Sequence, residues 1–470
     1  MSLNKPAERP SLWRIAAYGQ AGLPLALTAI PVTLYIPAFY AQDLGVDLTV
    51  IGLALVLARI GDVFTDPLIG TWSDRSKWRY GRRRSWVLIG LPVIVLGVWF
   101  LFQPREGAGG FDLFVWVSVY YLGWTLVTIP YVAWGAEMSP DYAERSRITG
   151  TREMFGVLGV ILAALLPVLA VGGAEVSGAG LGPQMQALAV SAAILLPLSI
   201  GILLGTVPEP KLYVASAVGF WRGMKIALGN APFMRLLASG VAGRIGSKIN
   251  ESVALLYFAH ALGLGPRGPL LILVLLAFAV IGTPFWIWLG GRITKHYAIA
   301  AAAATGCTAF ALIPFVAYGD FTSMAVLMAV VGFGATAGQA LGQSMAADAI
   351  DLDALRSREP RAGLLFAFWG MAIKGADAVG VGIALPMLAF LGFDPLNQNG
   401  PDEILALKLV YAILPIAFWI VAVAFIWNFP ITPERQRRIR ALAERRALVS
   451  RSRNSHDRHI GSGRISEPRH

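Results

Sequence analysis

Apolar runs of about twenty residues recur along the whole chain, and each is long enough to cross the hydrocarbon core of a bilayer as a helix. They predict twelve spans, which we number in chain order: residues 15–40, 48–72, 85–104, 111–138, 148–173, 184–207, 231–262, 268–291, 298–317, 321–347, 364–392 and 403–429. Only 14% of the residues are charged, whereas soluble domains average about 25%. The sequence therefore predicts an all-α integral membrane protein.

The polar segment 209–230 divides these spans into six and six. We expect an N-terminal six-helix bundle over residues 1–208, a central loop over 209–230, a C-terminal bundle over 231–429 and a basic tail over 430–470. The connections after spans four and ten echo each other, as AEMSPDYAERSRITG and ADAIDLDALRSREPRAG. Two parallel six-span repeats with a solute site between them are typical of alternating-access transporters.

Lysine and arginine are concentrated in the even-numbered connections. The connection after span two, SDRSKWRYGRRRS, carries six of them, whereas QDLGVD after span one carries none. Because cytoplasmic loops retain positive charge, we expect a multi-pass protein of the inner membrane with both termini in the cytoplasm. The basic tail is either solvated or an amphipathic helix on anionic lipid. The net charge of +11 therefore does not require a nucleic-acid partner.

Two carboxylates, Asp62 and Asp66, stand one helical turn apart in span two and share a face. Two like charges in a low dielectric do not both stay ionised without compensation, so a proton or a bound Na⁺ or Li⁺ is expected there. Pro67 frees a backbone carbonyl one turn earlier, and the Thr65 hydroxyl is a further oxygen ligand. The alternative is structural, with Asp62 paired to Arg59 and Asp66 bonded to the backbone.

The stretch ARIGDVFTDPLIGTWSDRSKWRYGRRRSW resembles the second span and following loop of the glycoside–pentoside–hexuronide:cation symporters, the melibiose-permease group of the major facilitator superfamily. The segments TIPYVAWGAEMSPDYAERSRITGTREMFG, DAIDLDALRSREPRAG and FWGMAIKGADAVG extend the resemblance along all twelve spans. It implies the major facilitator fold and a coupling Na⁺, Li⁺ or H⁺. By the same resemblance, the cation-binding residues are Asp62, Thr65, Asp66 and Thr125.

The resemblance is only partial at the solute site. Melibiose permeases hold galactoside hydroxyls with aspartates of spans one and four, but span one here has no acid and a threonine stands at the span-four position. An arginine that opens span five and a lysine of span eleven do match the family. With the polar residues of spans seven and ten, the expected solute-binding residues are Thr128, Arg152, Arg244, Lys248, Gln339 and Lys374.

The four basic residues of that set outnumber the acids near them once span two holds a cation. This balance favours an anionic solute such as a uronide, because guanidinium–carboxylate recognition is bidentate and directional. The alternative is internal pairing, of Lys248 with Glu251 and of Lys374 with Asp377, which leaves no spare charge for a solute.

The main expectation is cation-coupled symport of a sugar, glycoside or uronide by a monomer in the bilayer. Because span one is apolar and the sugar acids are missing, a carrier of lysolipid or another non-sugar solute is one alternative, and a proton-driven exporter is another. The chain has no P-loop, no H-E-x-x-H and no G-x-S-x-G motif, so we expect neither an enzyme nor a cofactor or metal other than the coupling cation.

The loop after span two also resembles the gating motif G-x-x-x-D-R-x-G-R-R of the superfamily, with extra residues inserted. Carboxylates and arginines of neighbouring loops are expected to latch the cytoplasmic side shut. The candidate residues are Asp74, Arg75, Arg82, Arg83, Glu137, Asp141, Asp348 and Asp351. Because such latches break in every transport cycle, we expect them to be exposed and modest in energy.

Overall fold

The computed structural model describes residues 10–431 except 77, 140–141, 171–179, 210–227 and 358–361, together with Glu434; this part of the chain is helical and has no strand. Spans one to six are Leu12–Gly19 with Gly22–Gln42, Leu48–Arg75, Arg82–Phe102, Gly110–Glu137, Tyr142–Ala170 and Gly182–Thr206. Spans seven to nine are Ala231–Leu256 with Tyr257–Ala261, Gly268–Arg292 and Lys295–Leu312. Spans ten to twelve are Phe321–Ala335 with Ala337–Ser357, Ala362–Phe390, and Pro401–Lys408 with Leu409–Ile413 and Leu414–Ile426.

The predicted all-α membrane fold is therefore confirmed. Eleven of the described helical segments have the length and apolar composition needed to span a membrane. The remaining one is span seven, which is long enough but carries Arg235, Arg244, Lys248 and Glu251. Most of the central loop and of the basic tail lies outside the described residues, at 210–227 and 435–470.

Polar N-caps begin several spans at the points where the chain enters the apolar region. The Asp47 carboxylate accepts the backbone N–H of Thr49 at 2.8 Å at the start of span two. The side chains of Asn230 and Asp320 cap spans seven and ten in the same way. Such caps satisfy amide groups that have no partner within the helix, and they explain why these helices begin where they do.

Span ten differs from its prediction as one continuous helix, because it is interrupted at Thr336 and runs on to Ser357. The Thr336 hydroxyl lies 2.6 Å from that of Thr283 in span eight and donates to the Ala279 carbonyl. The interruption therefore coincides with a packing contact between spans eight and ten.

Three helix pairs join the two bundles: span two packs on span eleven, span one on span seven, and span five on span eight. Close approach between spans two and eleven depends on Gly52, because a Cβ there would lie 3.0 Å from the ring of Pro386. Gly380 has the same role between spans seven and eleven, where a Cβ would lie 2.6 Å from Cβ of Lys248. These glycines bring the charged side chains of spans two, seven and eleven within reach of one another.

The bundles meet at the end that carries the odd-numbered connections. The side chains of Gln42 and His260, from spans one and seven, lie 3.1 Å apart between their Nε2 atoms. The Asp43 carboxylate accepts the backbone N–H of Gly182 at 3.0 Å, and burial raises the pKa of that carboxyl. The two bundles are therefore in direct contact at this end of the molecule.

Candidate functional site

The two acids of span two share one cationic partner from the opposite bundle. Nζ of Lys374, on span eleven, lies 2.5 Å from Oδ2 of Asp66 and 3.7 Å from Oδ2 of Asp62. Nη1 of Arg59 lies 3.1 Å from Oδ2 of Asp62, whose side chain is buried. Both carboxylates are thus compensated by side chains of the protein itself.

Further oxygen atoms surround these acids. Thr125, on span four, donates a hydrogen bond from Oγ1 to Oδ1 of Asp66 at 2.9 Å. The buried Thr65 hydroxyl, between the acids in sequence, has no hydrogen-bond partner among the described residues. Hard cations prefer carboxylate and hydroxyl oxygens, so this donor set fits a small monovalent cation. Of the four residues predicted for the cation site, Asp62, Asp66 and Thr125 lie at one place, whereas no described contact joins the Thr65 hydroxyl to either acid. The role of all four in binding a cation stays a prediction.

The structural alternative for these acids was an Asp62–Arg59 pair together with an Asp66 bonded to the backbone, and only the first of these is present. Arg59 does pair with Asp62, as that alternative requires. Asp66 instead accepts from the Thr125 hydroxyl and the Lys374 ammonium. A partly exposed carboxylate that is held by a hydroxyl and an ammonium is one that a competing cation can reach.

A second group of charges lies on spans seven and eleven. Nε of Arg244 lies 2.5 Å from Oδ1 of Asp377, and its Nη1 and Nη2 donate to the two carboxylate oxygens of Glu251 at 2.7 and 3.1 Å. Nζ of Lys248 lies 3.8 Å from Glu251. The expected Lys248–Glu251 pair is therefore present. The expected pairing of Lys374 with Asp377 is wrong, because packing of span eleven on span two offers Lys374 two carboxylates in the other bundle.

These side chains form one cluster, which we call the charge cluster. A small cavity lined by Arg59, Lys248, Asp377 and Tyr121 lies between its two halves. Its members are four acids and four bases: Asp62, Asp66, Glu251, Asp377, Arg59, Arg244, Lys248 and Lys374. The formal charges sum to zero, which is how a bilayer protein tolerates ionised groups.

A larger cavity of about 400 Å³ lies between the bundles beside the charge cluster. Its polar end is formed by Arg59, Arg244, Asn250 and Glu251. Its remaining wall is mainly apolar and aromatic, and includes Ile30, Val32, Leu34, Tyr120, Tyr121, Trp124, Ala254, Phe258, Ile272, Leu275, Leu276 and Met328. A pocket of this volume with a few convergent polar groups is the usual form of a small-molecule site.

The expected solute-binding residues separate into two sets. Arg244 lines the large cavity and Lys248 the small one. Lys374, Arg152, Thr128 and Gln339 are not among the residues that line either cavity, and Lys374 contacts the acids of span two instead. The Arg152 guanidinium bonds to Glu153, the Thr128 hydroxyl donates to the Trp124 carbonyl, and Gln339 is exposed. The sequence does not show how each helix is rotated about its axis, so it could not separate these residues from those that line the cavities.

Two aromatic residues of the cavity were missed by the sequence reasoning. Trp124 lines the cavity, and the ring of Tyr121 lies 4.0 Å beneath the Arg59 guanidinium. Their only sequence signal is the string YYLGW in span four, which has the composition of ordinary membrane packing. Stacking on Tyr121 fixes the direction of Arg59 and hence the polar end of the cavity.

The candidate gating residues lie at the end of the even-numbered connections. Nη2 of Arg83 lies 2.6 Å from Oδ1 of Asp74 and 2.7 Å from Oε1 of Glu137. Nη2 of Arg82 lies 2.7 Å from Oε2 of Glu137. The expectation of exposed latches is wrong here, because Arg83 and Glu137 are 3% and 5% exposed. The backbone N–H of Arg83 also donates to Glu209, a partner that the sequence reasoning missed.

The remaining gating candidates are dispersed. Arg75 is exposed, and Asp348 pairs with Lys295 of the same bundle at 2.5 Å. Asp141 and the side chain of Asp351 lie outside the described residues. The ion pairs of Arg82, Arg83 and Lys295 each stay within one bundle, in contrast to the contacts between bundles at the opposite end.

Comparison with known sequences gives a family match and several distant relatives. The family described as MFS/sugar transport protein matches residues 17–433. The sodium-dependent lysophosphatidylcholine symporter 1 of Mus musculus is 23% identical over 92% of this chain and 88% of its own length. The sphingosine-1-phosphate transporter MFSD2B of Xenopus tropicalis is 25% identical over 85% of each chain. The finer resemblance to the melibiose-permease group is not confirmed.

Solved structures share the architecture. A bacterial homologue of the lysosomal transporter Spinster, in an inward-facing and unoccupied conformation, matches with a TM-score of 0.65 at 14% identity over 90% of this chain and 100% of that one. The nucleoside transporter NupG matches with a TM-score of 0.66 at 13% identity over the same shares. At this level of identity the likeness shows the fold alone.

Proposed function

We propose that this chain, which belongs to the MFS/sugar transport protein family, is a sodium-coupled symporter of an amphipathic lipid with a phosphate head group, of the lysophospholipid class. The observation that carries the proposal is the cavity between the bundles, because its charged end and apolar wall match the two ends of such a molecule. The names of the similar mouse and frog proteins support the same class of solute.

The lipid head lies at the polar end of the cavity, where Arg244 and Arg59 are the basic residues of the lining. Arginine forms short, charge-assisted hydrogen bonds to phosphate oxygens. The acyl chain lies along the apolar wall formed by Ile272, Leu275 and Phe258. Each methylene that leaves water contributes about 0.8 kcal/mol. A neutral sugar gains little from such a wall, which is why the proposal departs from the sugar expectation.

Sodium binds in competition with Lys374. The ammonium carries one positive charge and contacts both acids of span two. A sodium ion carries the same charge and would be held by Asp62, Asp66 and the hydroxyls of Thr65 and Thr125. The ion therefore replaces an internal ion pair, and Lys374 must find a new partner. This exchange links occupancy of span two to the position of span eleven in the other bundle.

Transport follows alternating access, in which the two bundles rock about the charge cluster. The bundles meet at the end of the odd-numbered connections through Gln42 and His260. We assign the opposite, arginine-rich end and both termini to the cytoplasm. Binding of sodium at the acids of span two and of lipid in the cavity is reciprocally linked, so each ligand raises the affinity of the carrier for the other.

The test is thermal stabilisation of the full chain in nanodiscs by a panel of solutes. The panel contains lysophosphatidylcholine, a monoacylglycerol of the same chain, a neutral glycoside and a uronide, each in NaCl and in N-methylglucamine chloride. A ligand at 100 times its Kd stabilises the folded state by about 2.7 kcal/mol. We expect a shift from the lysophospholipid that grows with sodium, and a small shift from the monoacylglycerol.

Two results would contradict the proposal. A shift from the uronide or the glycoside without one from the lysophospholipid would return the chain to the sugar class. A lysophospholipid shift that is indifferent to sodium would separate the acids of span two from transport. N-methylglucamine is the replacement cation because choline shares its quaternary ammonium with the lipid head.

A further inference from the structure

We propose that Asp377 is a switch residue, which exchanges Arg244 for Lys374 when sodium occupies Asp62 and Asp66. The Arg244 nitrogen that this exchange releases then binds the phosphate of the lipid. The inference rests on the proposed function and deepens it, because it names the residue that couples the cation to the solute.

The first step follows from the position of Lys374 on its own helix. Residues three apart on a helix are neighbours on one face, so Asp377 is within reach of the Lys374 side chain. In the structure Lys374 instead extends to Asp66 in the other bundle. Lys374 therefore has acids available in both bundles, Asp62 and Asp66 in the opposite one and Asp377 on its own helix. When a cation takes the acids of the opposite bundle, Asp377 is the nearest alternative.

The second step follows from the present partner of Asp377. Oδ1 of Asp377 lies 2.5 Å from Nε of Arg244, and the Asp377 side chain is buried. Arg244 is also held by Glu251 through its two Nη atoms. Loss of Asp377 therefore frees the Nε–H group and leaves the guanidinium anchored. Because Arg244 lines the large cavity, the freed group is available to a solute there.

The third step is the charge balance of the cluster. With four acids and four bases it is formally neutral. A sodium ion raises the sum to one positive charge. The phosphodiester of the lipid returns the charge of the cluster to zero, with the choline of the zwitterionic head group lying outside the cluster. An uncompensated charge inside a bilayer is unfavourable by several kcal/mol. The carrier that holds sodium alone is thus hindered in the change between its two open states. The empty carrier and the carrier that holds both ligands are not hindered in this way.

If Asp377 were only an anchor between helices, its replacement would have different effects from those expected of a switch residue. A residue that only clamps span seven to span eleven would, when changed, weaken the binding of sodium and lipid together. A switch residue that loses its charge affects them in opposite directions. Lys374 then has no second acid, so sodium binds more weakly, while Arg244 is already free, so lipid binds without sodium.

The experiment measures both affinities in Asp377→Asn, with the full chain in nanodiscs. The sodium concentration for half-maximal thermal shift is determined without lipid. The lysophosphatidylcholine concentration for half-maximal shift is determined in N-methylglucamine chloride. We expect the half-maximal sodium concentration to rise about tenfold or more. We expect the half-maximal lipid concentration to fall below that of the unmodified chain. An unchanged half-maximal sodium concentration, or weaker binding of both ligands, would overturn the switch.

Two further variants keep the inference decidable if Asp377→Asn does not fold. Arg244→Gln leaves Asp377 free for Lys374, so the half-maximal sodium concentration should fall while lipid binding weakens; weaker sodium binding there would also overturn the switch. Asp112→Asn is the matched control, because its pair with Arg105 lies outside the charge cluster, and neither value should change. The sodium titration needs no lipid, so it decides the exchange even if the lipid proposal fails.

Discussion

Nζ of Lys374 lies 2.5 Å from Oδ2 of Asp66, in an ion pair that joins span eleven of one bundle to span two of the other. The two residues are 308 positions apart in the chain. The pair occupies the place where a coupling cation is expected, so its disruption is a natural step of transport. Under the proposed function, this salt bridge and the cation site share the same carboxylates.

Asp66→Asn should abolish the sodium-induced thermal shift. The amide keeps the size of the side chain but removes the negative charge that a monovalent cation requires. The measurement is the melting temperature of the purified protein in NaCl and in N-methylglucamine chloride. Asp112→Asn should keep the full sodium response, and a full response in Asp66→Asn would exclude Asp66 from the cation site.

Lys374→Gln should lower the melting temperature in the absence of sodium and enlarge the shift that sodium produces. Without the ammonium, the two acids repel each other, and a buried charge without its partner is unfavourable by about 3–5 kcal/mol. A sodium ion then compensates both acids and meets no competitor. The sodium concentration for half-maximal shift should fall about tenfold. A rise in that concentration would show that Lys374 supports cation binding instead of competing with it.

Gly380→Ala should destabilise the fold by about 1–3 kcal/mol, the usual effect of overpacking. An added Cβ would lie 2.6 Å from Cβ of Lys248 and 3.0 Å from the Ile245 carbonyl oxygen. The matched control is Gly375→Ala on the same span, where a Cβ meets nothing within 4 Å. Thermal unfolding of the two variants should differ clearly, and equal melting temperatures would contradict the close packing of spans seven and eleven.

Arg83→Gln should be far more destabilising than Arg75→Gln, although both arginines belong to the same connection. Arg83 is buried between Asp74 and Glu137, and its loss leaves those acids without their shared partner. Breaking a buried pair from one side is unfavourable by about 3–5 kcal/mol. Arg75 is exposed, so its replacement should change the free energy of unfolding by no more than about 0.5 kcal/mol. Melting temperatures of the two variants provide the comparison.

The nature of the spans and the bounds of most of them could be predicted from the sequence to within a few residues, whereas span five begins six residues earlier and span ten ends ten residues later than expected. Span two was expected over 48–72 and is Leu48–Arg75, and span eight was expected over 268–291 and is Gly268–Arg292. The bilayer makes this possible, because it requires every backbone group to be satisfied within a helix. The juxtaposition of Asp62, Asp66 and Thr125 was likewise foreseeable, through their spacing and the family resemblance.

The sequence by itself determined that this chain is a helical membrane protein with a paired set of intramembrane acids. The tertiary structure decided which basic side chain pairs with each acid. Lys374 pairs with Asp66 and not with Asp377, and Arg244 takes Asp377 in its place. It also decided that Arg244 lines the cavity and that Arg152, Thr128 and Gln339 do not. The physical reason is that the sequence offers each basic side chain several possible acidic partners. Only the packing of one helix on another decides which of them lies within reach.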